Sequence, residues 1–269
     1  MLTKVFRRFG TVSKAIFRGQ EVAFKKLRVQ ELDPTAKQEF EREIDLMMNL
    51  HHPNIIQFIG ASRVKGSLAI LTEFAPLGSL ESSLKRKQLN LQKQVIVLYE
   101  AARALQFLHA NNILHRDIKP ENILVFSLEI SAPVHVKLSD FGTARLVSDQ
   151  PSTMTRGVGT PLYMAPELFG KLGYSRSADI YSFGMLMWSV IHQQEPYDSV
   201  EFQFPWDVPN FIKAGNRLAI SEEICPPDLA QLIRDCWQQE PVDRPQISQV
   251  AQQLATFMKS ISSKASDRV

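Results

Sequence analysis

A chain of 269 residues, 44% hydrophobic and 22% charged, can bury a sizeable core and sits near the upper size of one domain. Its formal net charge of +3, from 31 basic and 28 acidic residues, gives no electrostatic case for nucleic acid or an anionic membrane surface. Its two cysteines, Cys225 and Cys236, form neither a metal pattern nor a disulfide framework, which fits inert packing residues in a reducing, cytoplasmic (intracellular) setting. Residues 1–8 lack the apolar run of a secretory signal, and the most apolar stretch, 183–191, falls far short of the roughly 20 residues that span a bilayer. Neither export nor a membrane span is expected.

Residues 11–27 alternate and carry β-branched and aromatic types, which predicts two strands joined at Arg18, Gly19 and Gln20. Asp33 before Pro34 is a helix start, an N-cap acceptor followed by a proline in the first turn. That helix should run to about Leu50, where His51, His52 and Pro53 stop it. Residues 55–60 and 67–74 read as two more strands, so the first 75 residues form a strand-rich lobe with one helix. Beyond Gly78 the helical period takes over. Val95, Leu98, Ala102, Leu105 and Leu108 recur at three- and four-residue steps, marking a long amphipathic helix that ends near Asn111. Short strands are expected at 123–126 and 134–138, a loop over 140–167, mostly helix over 177–258, and a frayed tail from Ser260. No repeat or low-complexity linker separates the halves, so they should meet near 74–78 with a ligand cleft between them.

The polar run His115, Arg116, Asp117, Ile118, Lys119, Pro120, Glu121, Asn122 is followed, eighteen residues after Asn122, by Asp140, Phe141 and Gly142. Residues 159–167, from Gly159 and Thr160 to Pro166 and Glu167, close the segment that Asp140 begins. Alone, each is a solvated turn. In this order and spacing they resemble the catalytic loop, magnesium-binding triplet and activation segment of eukaryotic protein kinases. Cys236 and Trp237, just before Asp243, Arg244 and Pro245, suit the tyrosine-kinase-like group of serine/threonine kinases, and the resemblance covers nearly the whole chain.

The resemblance implies an α+β, two-lobed kinase-like fold, with a small antiparallel-sheet N-lobe carrying one helix and a larger helical C-lobe. The domain would cover 1–259, with lobes of about 1–75 and 76–259 and a short tail at 260–269. It also implies transfer of the ATP γ-phosphate to Ser or Thr hydroxyls of a protein substrate, with Mg2+ as the companion ion. Phosphoryl transfer is mostly positioning and charge neutralisation. Asp117 would orient the hydroxyl and accept its proton, Lys119 would reach the γ-phosphate, and Asn122 and Asp140 offer hard oxygen ligands to magnesium.

Strand parity separates two adjacent lysines, since Ala23 and Lys25 share one face while Phe24 and Lys26 take the other. Lys25 is then the phosphate-binding candidate. Ala36, Phe40, Glu43, Met47 and Leu50 step by four, three, four and three, which puts Glu43 inside an apolar helical stripe where a carboxylate needs a cation. Lys25 would be that cation, whereas Glu39 and Glu41 lie off the stripe.

By the same resemblance, Val12, Ala23 and Leu124 would wall the adenine, Thr72 would guard the back of the pocket, and Glu73 and Ala75 would offer it hinge backbone groups. Met47, Phe58, His115 and Phe141 match an apolar stack across the lobes. Asp179 would brace the catalytic-loop backbone, and Arg244 would pair with Glu167. Lys119 and Thr160 favour serine and threonine over tyrosine. An upstream kinase or autophosphorylation would act on Thr155, or on Thr153 or Ser152, with Arg116 as the phosphate's partner.

One motif departs from the pattern. Aligning Val12 with the valine of G-x-G-x-x-G-x-V puts the glycine positions at Val5, Arg7 and Gly10, of which only Gly10 is glycine, and the first strand is either clipped or built from residues 2–5. This departure supports a rival reading, a pseudokinase or signalling scaffold that binds ATP weakly, although Lys25, Asp117, Asn122 and Asp140 are all present.

Overall fold

The computed structural model describes residues 4–7, 10–27, 34–64, 67–147, 159–170 and 173–266. Asp33, Leu2 and the hydroxyl residues Ser152, Thr153 and Thr155 lie outside them.

The N-terminal lobe is an antiparallel sheet of β1 (Lys4–Arg7), β2 (Gly10–Phe17), β3 (Gln20–Leu27), β4 (Phe58–Val64) and β5 (Ser67–Glu73), in the order β1-β2-β3-β5-β4. The β2–β3 hairpin closes on the pair Phe17 and Gln20, with Arg18 (φ 51°) and Gly19 (φ 81°) in the left-handed region. This two-residue turn matches the strand twist. Helix α1 (Pro34–Met48) packs against the sheet, and Phe40, Glu43, Met47 and the following Leu50 are all buried, as the stripe requires.

The strand expected at 55–60 differs. Ile55 and Ile56 instead join the C-terminal lobe, where Ile56 N donates to Leu138 O at 2.9 Å and Leu138 N donates to Asn54 O at 2.8 Å. β4 begins only at Phe58 and runs on to Val64, with an irregular register between Phe58 and Gly60. Local alternation could not foresee this, because the partner strand lies some eighty residues downstream.

The C-terminal lobe begins with α2 (Leu80–Lys85) and α3 (Leu91–Ala110), the latter capped by the Asn90 side chain accepting from Lys93 N at 3.0 Å. β6 (Ile113–Leu114), β7 (Ile123–Val125), β8 (Val136–Leu138) and β9 (Arg145–Leu146) form two small ladders, β6 with β9 and β7 with β8. α4 (Arg176–His192), α5 (Asp207–Lys213), α6 (Pro227–Cys236) and α7 (Ile247–Ser266) complete the lobe. α4 is buried along residues 178–191. A Cβ at Gly184 would lie 2.8 Å from Cys236 Cβ, so the glycine lets α4 and α6 approach closely. Both cysteines are buried and free, and burial pushes the Cys225 thiol up to about 11, as suits packing residues.

The frayed tail expected from Ser260 is replaced by helix through Ser266. Phe257, Met258 and Ile261 pack on the core, and that apolar spacing carries the helix on. Among the described residues no helix is long and apolar enough to cross a membrane.

Candidate active site

Directly paired residues of an antiparallel ladder share a face. Val12 stands opposite Lys25, Ala23 opposite Thr72, and Thr72 opposite Phe58, so these residues line one face of the sheet. Lys25 identifies the face as the one turned to the other lobe: its Nζ lies 3.0 Å from Glu43 Oε1 and 2.8 Å from Asp140 Oδ1. Burial alone would depress the Lys25 ammonium, but Asp140 and Glu43 raise it above the ordinary lysine value, so it stays charged. Burial also raises the Glu43 carboxyl, against the pull of Lys25. A Cβ on Gly142 would meet Glu43 Oε2 at 3.2 Å, so glycine in the Asp140 triplet gives the carboxylate room.

The second cluster lies on the loop between β6 and β7. Lys119 Nζ lies 2.8 Å from Asp117 Oδ2 and donates to Thr160 Oγ1 at 2.6 Å, and Thr160 Oγ1 in turn donates to Asp117 Oδ1 at 2.9 Å. Asn122 Nδ2 donates to Asp117 O at 2.8 Å and Asp117 Oδ2 at 2.9 Å. Both donors of that amide thus turn toward Asp117, leaving Oδ1 as the atom suited to a cation.

This fits magnesium. Among the described residues no three His, Cys, Asp or Glu side chains form an all-protein metal cage. One carboxylate and one amide oxygen are what Mg2+ takes when substrate phosphates supply the remaining ligands. Asn122 and Asp140 could hold it.

Two site residues have left-handed backbones, Arg116 (φ 69°) and Asp140 (φ 65°), conformations that cost roughly 1–3 kcal/mol each unless the surroundings impose them. At Arg116 the brace is Asp179, in the first turn of α4, whose carboxylate accepts from His115 N at 3.0 Å and Arg116 N at 2.9 Å. His109 Nε2, at 2.9 Å, and the Tyr174 hydroxyl, at 3.1 Å, also reach it. Burial would raise the Asp179 carboxyl, but the His109 contact and its other partners hold it below its usual value.

His115 and Phe141 meet edge to face at 5.4 Å, while Met47 is buried in the same hydrophobic core as Phe141 and half-buried Phe58 packs against that core. Arg244 makes a two-pronged pair with Glu167, at 2.7 and 2.8 Å, with side chains only 0% and 6% exposed. The pair is therefore buried rather than a surface contact.

Leu124 lies in β7, beside the hinge, where Ser79 bridges to it. Glu73 uses its side chain as well as its backbone: Lys137 Nζ on β8 binds both carboxylate oxygens at 2.7 and 2.9 Å, and Gln57 N donates to Oε1 at 2.7 Å. Ala75 is buried, and its carbonyl accepts from Gly78 N at 3.3 Å. Gly10 opens β2 opposite Arg7, and Val5 stands opposite Val12.

Sequence reasoning missed Lys137 and Glu100. Lys137 could have been noticed as the polar position between buried Val136 and Leu138. Glu100 accepts from Asn54 Nδ2 at 3.0 Å and from His135 N and Val136 N at 2.8 Å each, fixing β8 to α3. No short-range signal marks it.

Comparison with known proteins agrees with this geometry. A family model described as protein tyrosine and serine/threonine kinase matches residues 7–254. The chain is 34% identical over 251 residues to dual specificity protein kinase shkB of Dictyostelium discoideum, covering 91% of this chain and 38% of that protein. It is 34% identical over 265 residues to the probable serine/threonine-protein kinase drkB of the same organism, covering 97% of this chain and 36% of the relative. The serine/threonine-protein kinase VIK of Arabidopsis thaliana is 33% identical over 263 residues, covering 95% of this chain and 59% of its own length. The chain thus spans less than two thirds of each of these relatives. Since the matched stretch includes the cleft, the catalytic loop and the Asp140 triplet, the chain belongs to the protein tyrosine and serine/threonine kinase family.

Proposed function

We propose that this chain is an ATP-dependent protein kinase that phosphorylates serine and threonine hydroxyls of a protein substrate. The observation that carries this reading is Asp117 held between Lys119 and Thr160, in the cleft where Asp140 meets Lys25 and Glu43. Asp117 would orient the acceptor hydroxyl and take up its proton as the oxygen attacks. The Lys119 ammonium would offset charge on the transferring group, and Lys25, fixed between two carboxylates, would hold the α- and β-phosphates. Asn122 and Asp140 would hold Mg2+, which would supply charge neutralisation to the phosphates. Val12, Ala23, Thr72 and Leu124 would enclose the adenine, with Glu73 and Ala75 presenting backbone groups and Gly10 closing over the phosphates. The contact of Lys119 with Thr160 supports serine and threonine as acceptors, with tyrosine second.

Control by phosphorylation between Asp140 and Glu167, from an upstream kinase or in the chain itself, fits the placement of Arg116. Its guanidinium is buried, Nε donates to Thr143 O at 2.7 Å, and Arg145 lies near enough to lower its proton affinity further after burial. A phosphate would relieve two neighbouring cations. The buried free cysteines suit a cytoplasmic setting.

Val5 and Arg7 at glycine positions favour a second reading, a pseudokinase or scaffold with weak ATP binding. Transfer of labelled phosphate from ATP to a generic Ser/Thr acceptor, dependent on magnesium and lost in Asp117→Asn, is the expected result. Nucleotide binding without transfer would leave the second reading standing instead.

A further inference from the structure

The loop between α4 and α5 displays aromatic rings outward while others anchor it. Phe202 packs edge to face on Tyr197 at 5.0 Å and on Phe211 at 5.2 Å, tying the loop to the core. Asp207 accepts from Phe204 N at 2.7 Å and fixes the turn into α5. Yet Phe204 and Trp206 stack on each other with ring planes 2° apart and centroids 5.0 Å apart, while remaining 55% and 58% exposed, and Val200, earlier in the same loop, is 83% exposed. A contiguous exposed apolar surface on an anchored loop marks an interaction site, since holding it in place reduces the ordering cost of binding.

Charge identifies the occupant. From Ser177 to Ile212 the chain carries no lysine or arginine, and the same loop carries Asp198 and Glu201 as exposed carboxylates a few residues before the rings. Stacked ring faces carry negative quadrupoles, and together with acidic residues in the same loop they attract a cation, guanidinium above all. Position also counts: α5 packs against the turns at Pro161–Tyr163 and Pro166–Phe169, directly after Thr160, which touches Asp117. A chain lying across α5 therefore lies beside the segment that leads to the catalytic aspartate.

We propose that Val200, Phe204 and Trp206, with Asp198 and Glu201, form a docking surface for an arginine-bearing extended segment of the protein substrate, away from the nucleotide cleft. That the occupant is a substrate rests on the kinase reading; the chemistry of the surface does not.

The test uses the whole chain and a fluorescein-labelled peptide of alternating arginine and glycine, free of hydroxyl side chains, followed by anisotropy. The arginine peptide should bind, and its glutamate counterpart should not. Phe204→Ala with Trp206→Ala should weaken binding about three- to thirtyfold, and Asp198→Lys with Glu201→Lys, which keeps the rings, should do so at least as strongly. Thermal unfolding of each variant checks that the fold is kept. No binding, equal binding of the glutamate peptide, or affinity unchanged in both variants would each overturn the proposal, the last by placing the peptide elsewhere. Phosphotransfer measured on the same wild-type protein separates the two readings. Variant-sensitive binding without transfer removes the kinase reading alone, and transfer without variant-sensitive binding removes the docking surface alone.

Discussion

Thr160 donates its hydroxyl hydrogen to Asp117 Oδ1 across 2.9 Å, joining the end of the activation segment to the catalytic loop across 43 residues of sequence. Thr160 Oγ1 itself accepts from Lys119 Nζ at 2.6 Å, so a single hydroxyl fixes both charged groups. Such charge-assisted bonds are worth about 1.5–3 kcal/mol each, and a displacement of about 1 Å at reacting groups can cost about a hundredfold in rate. Thr160→Val should therefore lower kcat about 10- to 100-fold, whereas Thr160→Ser keeps most of it. Steady-state kinetics at saturating ATP check this, and equal rates for the two variants would remove the positioning role.

Arg244 and Glu167 tie the start of α7 to the end of the activation segment in a nearly dry setting. Removing one partner of a buried pair leaves an uncompensated charge, at about 3–5 kcal/mol, whereas an exposed pair contributes under about 1 kcal/mol. Arg244→Leu should lose stability on the larger scale, since it also abandons bonds to Ser177 O and Gln238 O. Urea unfolding measures it. A loss below 1 kcal/mol would mean that water reaches the pair.

His115 should make the folded lobe acid-sensitive. Its Nδ1 accepts from Asp117 N at 3.3 Å and its Nε2 donates to Ser139 O at 3.1 Å, so the neutral Nε2–H tautomer satisfies both partners. Burial holds its pKa below the ordinary value, against the pull of Asp179, Asp117 and Asp140. The unfolded chain protonates this ring near pH 6.5 while the folded chain does not, so the unfolded state binds more protons below that pH. Stability should fall as pH drops from about 6.5 toward the folded pKa, by at most about 1.4 kcal/mol per unit from this group. His52 and His192, also depressed by burial, act with the same sign. His115→Phe should reduce the pH dependence of unfolding free energy between pH 7 and 5. An unchanged slope would show that the ring is not the source.

Periodicity made part of this site legible before any coordinates. Strand parity alone selected Lys25 over Lys26, and helical spacing alone put Glu43 in the core, and the two side chains meet at 3.0 Å. The contacts that escaped join partners far apart in sequence. Ile56 turned from its expected strand to bond Leu138, Lys137 reached back 64 residues to Glu73, and Glu100 gathered four donors from two segments. Each depends on how the lobes meet, which no local window encodes. The helix beyond Ser260 escaped for a simpler reason, since its length at the chain's end was set aside although Phe257, Met258 and Ile261 continue the stripe.

The departure at the phosphate loop yields the last expectation. Val5 and Arg7 lie in β1, paired with Val12 and Gly10 of β2, at the positions where the kinase pattern has its first two glycines. Both therefore sit in an extended ladder, so replacing glycine costs no strain at positive φ, and what is lost is the close approach to a phosphate that a residue without a side chain allows backbone N–H groups. A hydrogen bond to a charged phosphate is worth about 1.5–3 kcal/mol, so recovering even one should tighten ATP roughly tenfold or more. Val5→Gly combined with Arg7→Gly should accordingly lower the ATP dissociation constant, measured by competition with a fluorescent nucleotide, and leave the metal requirement unchanged. Weaker binding in the double variant would instead show that the Arg7 guanidinium has taken over as the phosphate contact, which Arg7→Gly alone would reproduce. Unchanged affinity with unchanged turnover would show that the β1–β2 turn does not cover the phosphates, and the departure from the glycine pattern would then carry no cost to ATP binding.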